Sequence, residues 1–173
     1  MIEPNEKLRI ASFYDERVEK LGHSPAAVGW KSFSQQRLRF QVLLDCLPAG
    51  SLGAVLDLGC GTGDLFDYLA DSNRAFISYT GIDLSEKMID LASSRVSEEN
   101  ASFQVGDLDD LSAGKQHFDT VLMSGALNFA TTASPDDRSN SLFATVLQKL
   151  RPQGNFAVNF LSTEVDFENP INQ

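Results

Sequence analysis

The run Val55-Leu-Asp-Leu-Gly-Cys-Gly-Thr-Gly-Asp-Leu65 joins a short apolar stretch to glycines at alternating positions. Val55–Leu58 reads as a buried strand and Asp64–Ala70 as the helix after it. Gly59, Gly61 and Gly63 then make the strand-to-helix turn, where the lack of a side chain lets backbone approach a ligand closely. Dinucleotide sites use such a turn as well, but their fingerprint is G-x-G-x-x-G. Here the final position holds Asp64 and the spacing is G-x-G-x-G. The phosphate-cradling loop that ends in Gly-Lys-Ser/Thr is excluded too, because no such triplet follows. Asp57 stands at the end of the strand. Beside a pyrophosphate its charge would repel, by roughly 1 kcal/mol or more at short range. Beside a ligand bearing an ammonium and a sulfonium it would attract.

Outward from this turn, short apolar runs alternate with amphipathic helices. Ile77–Ile82 reads as a second strand, and Ser85–Val96 as a helix capped by Ser85 with Met88, Ala92 and Val96 on one face. Ala101–Val105 and Phe118–Met123 are further strands. A helix opens at Ser134, followed by Pro135, Asp136 and Asp137, since proline suits the first turn and carboxylates its positive end. It carries Leu142, Phe143, Val146, Leu147 and Leu150 until Pro152 and Gly154 end it, and Asn155–Phe160 is the last strand. This alternation predicts an α/β fold, a Rossmann-like doubly wound and mostly parallel sheet covered on both faces. Ligands of such sheets gather at the carboxyl ends of the strands.

Ahead of the first strand, Leu8, Ala11, Tyr14, Val18 and Leu21 recur at three and four residues, one face of a helix that Gly22 stops. A polar loop with Pro25 and Gly29 leads to a second helix after Ser34, with Leu38, Val42 and Cys46 four apart and Pro48 at its end. At 173 residues the chain reads as a single domain, with residues 1–50 as a helical segment and residues 52–162 as the core.

A composition of 42% hydrophobic and 22% charged residues is ordinary globular usage. The 14 Lys and Arg against 24 Asp and Glu give a net charge of −10. That field repels phosphate backbones and anionic membranes, so neither nucleic acid nor membrane is an expected partner. Cys46 and Cys60 form no CxxC, and His23 and His117 have no ligand-like spacing, so no metal site is expected. The cysteines read as reduced thiols. Met1–Ile10 lacks the apolar core of a signal peptide, and no stretch reaches the roughly 18 apolar residues of a membrane span. A cytoplasmic location is the expectation.

Asp57-Leu-Gly-Cys-Gly-Thr-Gly63, then Gly81-Ile-Asp-Leu-Ser-Glu-Lys-Met-Ile89, then Gly106-Asp-Leu108, resemble the class I S-adenosylmethionine-dependent methyltransferases. The resemblance covers roughly Leu52 to Ser162 and implies S-adenosylmethionine as cofactor. It implies that Asp57, Gly59, Cys60, Gly61 and Gly63 line the methionine end, and that Asp83 accepts the ribose hydroxyls, two donors that one carboxylate can take together. Leu84 and Met88 would flank the adenine, Asp107 would receive its amino group, and Leu108 would offer backbone. Met123-Ser124-Gly125-Ala126-Leu127-Asn128 would lie beneath the sulfonium, with Ser124 at the cofactor. The N-terminal helices would close over the site as a lid lined by Tyr14 and Trp30, since an aromatic face beside a sulfonium is favourable by about 1 kcal/mol when desolvated. Arg37 and Arg39 could anchor a carboxylate, and His23 could serve as a base. His117 precedes the fourth strand, at the wrong end for chemistry.

Methyl transfer from a sulfonium is an in-line displacement that needs alignment and exclusion of water more than a catalytic dyad. The Asn/Asp-Pro-Pro-Tyr/Phe signature of amino-methylating DNA enzymes and the Pro-Cys pair of cytosine carbon-5 enzymes are both missing. The expected acceptor is therefore a small molecule, methylated at oxygen, nitrogen or carbon. The family's sheet ordinarily ends in an antiparallel hairpin, which Ser162–Gln173 is too short to supply; the C-terminal strand hairpin is expected to be missing. An uncovered edge would be a pairing hazard that a second copy of the chain could satisfy. A cofactor-binding module without turnover, or a truncated domain, is the alternative, and a nicotinamide oxidoreductase a more distant one.

Overall fold

A computed structural model of the chain describes residues 3–111, 117–126 and 135–160. The elements are α1 (Pro4–Leu21), α2 (Phe33–Asp45), β1 (Ala54–Leu58), α3 (Asp64–Asp71), β2 (Ser78–Asp83), α4 (Glu86–Arg95), β3 (Ala101–Val105), β4 (Phe118–Ser124), α5 (Pro135–Lys149) and β5 (Leu150–Asn159). The strands lie in the order β3-β2-β1-β4-β5, every neighbouring pair parallel. β1 is central, and the direction of winding reverses between β1 and β4. This is the Rossmann-like doubly wound sheet that the strand–helix alternation predicts.

Successive residues of the central strands feed opposite faces, so a strand buried on both sides must be apolar throughout. Val55, Tyr79 and Leu122 point to one face, against Phe40, Leu43 and Leu44 of α2 and Leu65, Phe66 and Leu69 of α3. Leu56, Leu58, Ile82, Val121 and Met123 point to the other, against Val146 of α5 and the loop residues Leu108 and Leu111. Asp57 is the exception in β1, a carboxyl set on an otherwise apolar strand and almost wholly buried.

α1 packs on α4 rather than on the sheet. Val18, Ala27 and Met88 form a small separate core there, flanked by Tyr14, Val28 and Leu91. The start of α4 is held by Ser85, whose Oγ accepts the N–H of Met88 at 3.1 Å, as its position predicts. Asp15 of α1 adds to this cap, accepting from Ser85 Oγ at 2.5 Å and from the Lys87 N–H at 3.2 Å.

Several faces differ from those expected. In α1 the stripe that turns inward runs through Glu6, Ile10, Tyr14 and Val18, while Leu8 is 67% exposed and Leu21 is exposed as well. Both stripes pass through Tyr14 and Val18, and contact with a single helix, α4, selects the narrower one. α2 begins at Phe33, capped by Ser32 Oγ accepting from the Gln35 N–H, and buries Gln36, Phe40, Leu43 and Leu44. Leu38, Val42 and Cys46, the expected inner face, are exposed. In α5, Val146 is buried but Phe143 and Leu147 are exposed. Leu150 is no longer helical and begins β5, where Phe118 faces Leu150 but Thr120 already faces Asn155. Arg151–Gly154 bulge out between those pairs, with Gln153 at φ +67°. Ser134 and Ser162–Gln173 lie outside the described residues, as does the question of a hairpin after β5. No described helix is long and apolar enough to cross a membrane.

Candidate functional site

The reversal of strand order puts a crevice at the carboxyl ends of β1 and β4. The glycine turn occupies its floor. Gly59, Gly61 and Gly63 have φ of +74°, +53° and +83°, the left-handed region that glycine enters without steric cost. The N–H groups of Gly59 and Cys60 both donate to the Ile82 carbonyl, at 2.8 and 3.0 Å, which ties the turn to the end of β2. A Cβ on Gly59 would stand 2.5 Å from that of Ala126, and one on Gly61 would stand 2.9 Å from Val28 Cγ1. The turn is thus covered by the segment after β4 on one side and by the α1–α2 loop on the other. Cys60 is buried, and its sulfur turns down onto Gly81, leaving backbone toward the crevice.

Carboxylates crowd the turn. Asp57 accepts a hydrogen bond from the Tyr79 hydroxyl. Burial pushes the Asp57 carboxyl up to about 7, with the charges of Asp83 and Asp64 adding to the rise against the Tyr79 bond. Asp83, at the end of β2, accepts from the Gly61 N–H through Oδ2 at 2.9 Å and from the Ser85 N–H through Oδ1 at 3.0 Å. Burial raises this carboxyl too, opposed by those backbone donors. Each of its oxygens has further acceptor capacity, and the two backbone bonds hold both in place. Asp64 is the hub at the head of α3. It meets His23 Nε2 at 2.6 Å, Gln36 Nε2 at 3.1 Å and Thr62 Oγ1 at 2.8 Å.

The other expected site residues distribute as follows. Tyr14 sits on α1 against the Val18, Ala27 and Met88 cluster, its phenol raised first by burial and then by the charge of Asp83. Met88 is buried in the α1–α4 contact, and Leu84 is half-buried beside Asp83. Asp107, beyond β3, forms an ion pair with Lys7 of α1 at 2.6 Å, so the N-terminal helix reaches the position expected to meet adenine. Leu108 turns its side chain into the core, which leaves its backbone as the group on offer. Ser124 ends β4 and bonds Asn159. Trp30 is half-buried with the Arg39 guanidinium 5.9 Å from its ring centroid. Arg37 instead pairs with Asp71 and lies over Tyr68, on the outer surface. His23 is spoken for by Asp64, and His117 is at the amino end of β4, away from the crevice. Leu127 and Asn128 fall outside the described residues.

Sequence reasoning missed Lys7, Asp64, Tyr79, Val28 and Asn159. Only Asp64 carried a signal, an acidic residue on the first turn of a helix. The set of groups suits S-adenosylmethionine: glycines that admit backbone contact, a half-buried carboxylate at the end of β2 with acceptor capacity left, and clustered carboxylates whose repulsion a cationic ligand relieves.

An all-parallel sheet whose winding reverses at a glycine turn is a Rossmann-like ligand-binding domain. Residues 55–154 match the methyltransferase domain family, and the chain belongs to it, within the class I S-adenosylmethionine-dependent methyltransferases. It is 33% identical over 105 residues to the malonyl-[acyl-carrier protein] O-methyltransferase of Priestia megaterium, covering 58% of this chain and 34% of that one. It is 27% identical over 154 residues to the demethylmenaquinone methyltransferase of Lactobacillus johnsonii, covering 87% and 57%. Among solved structures, an S-adenosylmethionine-dependent methyltransferase from Mesorhizobium loti shares 31% identity at a TM-score of 0.55, over 68% of this chain and 51% of that one. The chain spans 34% and 57% of the length of the two curated relatives.

Proposed function

We propose that this chain holds S-adenosylmethionine across the ends of β1 and β2 and supports methyl transfer to a small-molecule acceptor in the crevice beside β4. The observation that carries this reading is Asp83, half-buried at the end of β2, braced by two backbone N–H groups and retaining lone pairs for a pair of adjacent hydroxyls. S-adenosylmethionine supplies a methyl group already activated as a sulfonium. The chain's own part is to bind, align and keep water out. Asp83 takes the ribose, Gly59, Cys60, Gly61 and Gly63 present backbone to the amino-acid end, and Asp57 beneath them favours its positive charge. Leu84, Met88, Asp107 and Leu108 surround the adenine, with Lys7 yielding Asp107 or sharing it. Tyr14, Trp30 and Val28 close the lid side, and Ser124 stands at the acceptor wall.

An acidic chain and the small acceptors named for some relatives favour a small molecule over nucleic acid. The unpaired Cys46 and Cys60 fit a reducing, cytoplasmic setting. Pairing of two copies along an edge strand, β3 or β5, belongs to the same reading, and light scattering tests it.

Calorimetric titration with S-adenosylmethionine and with NAD decides the ligand: saturable binding of the first alone is the expected result, and binding of NAD alone refutes the assignment. A screen for labelled methyl transfer onto pools of small acceptors then separates an enzyme from a binding module.

A further inference from the structure

Ser124 closes β4 two residues beyond the Asp57–Leu122 pair, which sets it beside Gly59 at the crevice. Its hydroxyl oxygen lies 3.1 Å from Oδ1 of Asn159, the last residue of β5. Nδ2 of the same amide donates to the backbone carbonyl of Arg39 in α2 at 3.1 Å. A carbonyl oxygen can only accept, so the amide has one admissible orientation: nitrogen toward Arg39, oxygen toward Ser124. Ser124 must therefore spend its single proton on Asn159. What its oxygen has left for the crevice is lone pairs. The Gly125 N–H donates to the Asn159 carbonyl at 3.0 Å, which locks the two strand ends together and fixes this arrangement.

We propose that Asn159 makes Ser124 an obligate hydrogen-bond acceptor, so that this wall of the crevice selects ligand groups bearing N–H or O–H and disfavours carboxylates. Ser124 is the contact and Asn159 the positioning residue, in an inference that rests on the crevice being the methyl-transfer site. A carboxylate placed there meets lone pairs with lone pairs and forfeits its solvation without return. Two groups share the favoured chemistry: the ammonium at the amino-acid end of the cofactor, and an amine or hydroxyl on the acceptor.

The test compares wild type with Ser124→Ala, Ser124→Thr and Asn159→Leu, each checked by thermal unfolding. In the first arm the chain is titrated with S-adenosylhomocysteine and with its deaminated analogue. In the second, with S-adenosylhomocysteine bound, benzylamine, benzyl alcohol and benzoate are compared by NMR. If Ser124 meets the cofactor ammonium, the preference for the amino-bearing ligand falls about tenfold in Ser124→Ala and Asn159→Leu and survives in Ser124→Thr. If it meets the acceptor, the preference for amine or alcohol over benzoate collapses in the same variants. Should Asn159→Leu fail to fold, the alanine and threonine variants carry the comparison. Wild type that binds S-adenosylhomocysteine while both preferences persist in Ser124→Ala overturns this inference alone. Wild type that binds no S-adenosylhomocysteine overturns the methyl-transfer reading beneath it.

Discussion

The phenol of Tyr79 donates a hydrogen bond from β2 to Oδ2 of Asp57 on β1, directly under the glycine turn and within the main core. Burial lifts the Asp57 carboxyl from the ordinary 3.8 to about 7, so the folded chain holds a proton there that the unfolded chain releases. The stability this proton brings is complete below about 3.8 and is lost as pH rises through about 7. Asp57→Asn keeps an acceptor for Tyr79 and removes the titration. Thermal unfolding between pH 5 and pH 8 should therefore show the variant gaining on wild type as pH rises, on the order of 1 kcal/mol or more. Affinity for S-adenosylmethionine in wild type should climb over the same interval, as the carboxyl ionises, and stay level in the variant.

Asp83 serves both the turn and the proposed ligand. Asp83→Ala removes the acceptor of the Gly61 and Ser85 N–H groups and the expected ribose contact. Binding of S-adenosylhomocysteine should weaken by about 2 kcal/mol, the scale of lost charge-assisted hydrogen bonds. Calorimetry reads this directly, and unchanged affinity would remove Asp83 from the site.

Two glycines separate conformational strain from crowding. Gly22 has φ +57° with ψ −150°, a region essentially reserved to glycine, and open space where a Cβ would go, so Gly22→Ala should cost only the backbone term, about 1–3 kcal/mol. Gly59 has φ +74° and would set its Cβ 2.5 Å from that of Ala126. Gly59→Ala should cost about 2–4 kcal/mol because overpacking adds to the strain. Denaturant unfolding of both variants checks the order, which reverses if the segment after β4 yields freely.

Lys7 and Asp107 join the first turns of α1 to the loop after β3, with side chains 26% and 21% exposed. A pair this accessible is worth about 0.5–1 kcal/mol. Lys7→Gln should speed amide exchange in α1 about two- to five-fold, and added salt should shrink the difference. Equal exchange in both proteins would show that α1 is held by its contacts with α4 and the following loop and not by this pair.

The glycine turn, the Ser85 cap and the strand–helix alternation were legible because each is settled by residues close together in the chain. Val55–Leu58 had to be a buried strand, and Gly59, Gly61 and Gly63 could make a turn that other residues resist. The choice of helix faces was not legible. Leu8 and Leu38 satisfied the spacing as well as Ile10 and Phe40 did, two positions away, and only the shape of the neighbouring surface decides between such stripes. The same holds for the side-chain pairs at the crevice. Lys7 meets Asp107, Tyr79 meets Asp57, and Asn159 turns the Ser124 proton away from the crevice, all because the assembled fold brings segments distant in sequence within 3.1 Å or less. Local composition determined which elements form and where backbone must come near a ligand. Packing of the assembled sheet determined which charges are paired, which carboxyls hold protons and which lone pairs face outward, since those depend on desolvation and distance across the fold.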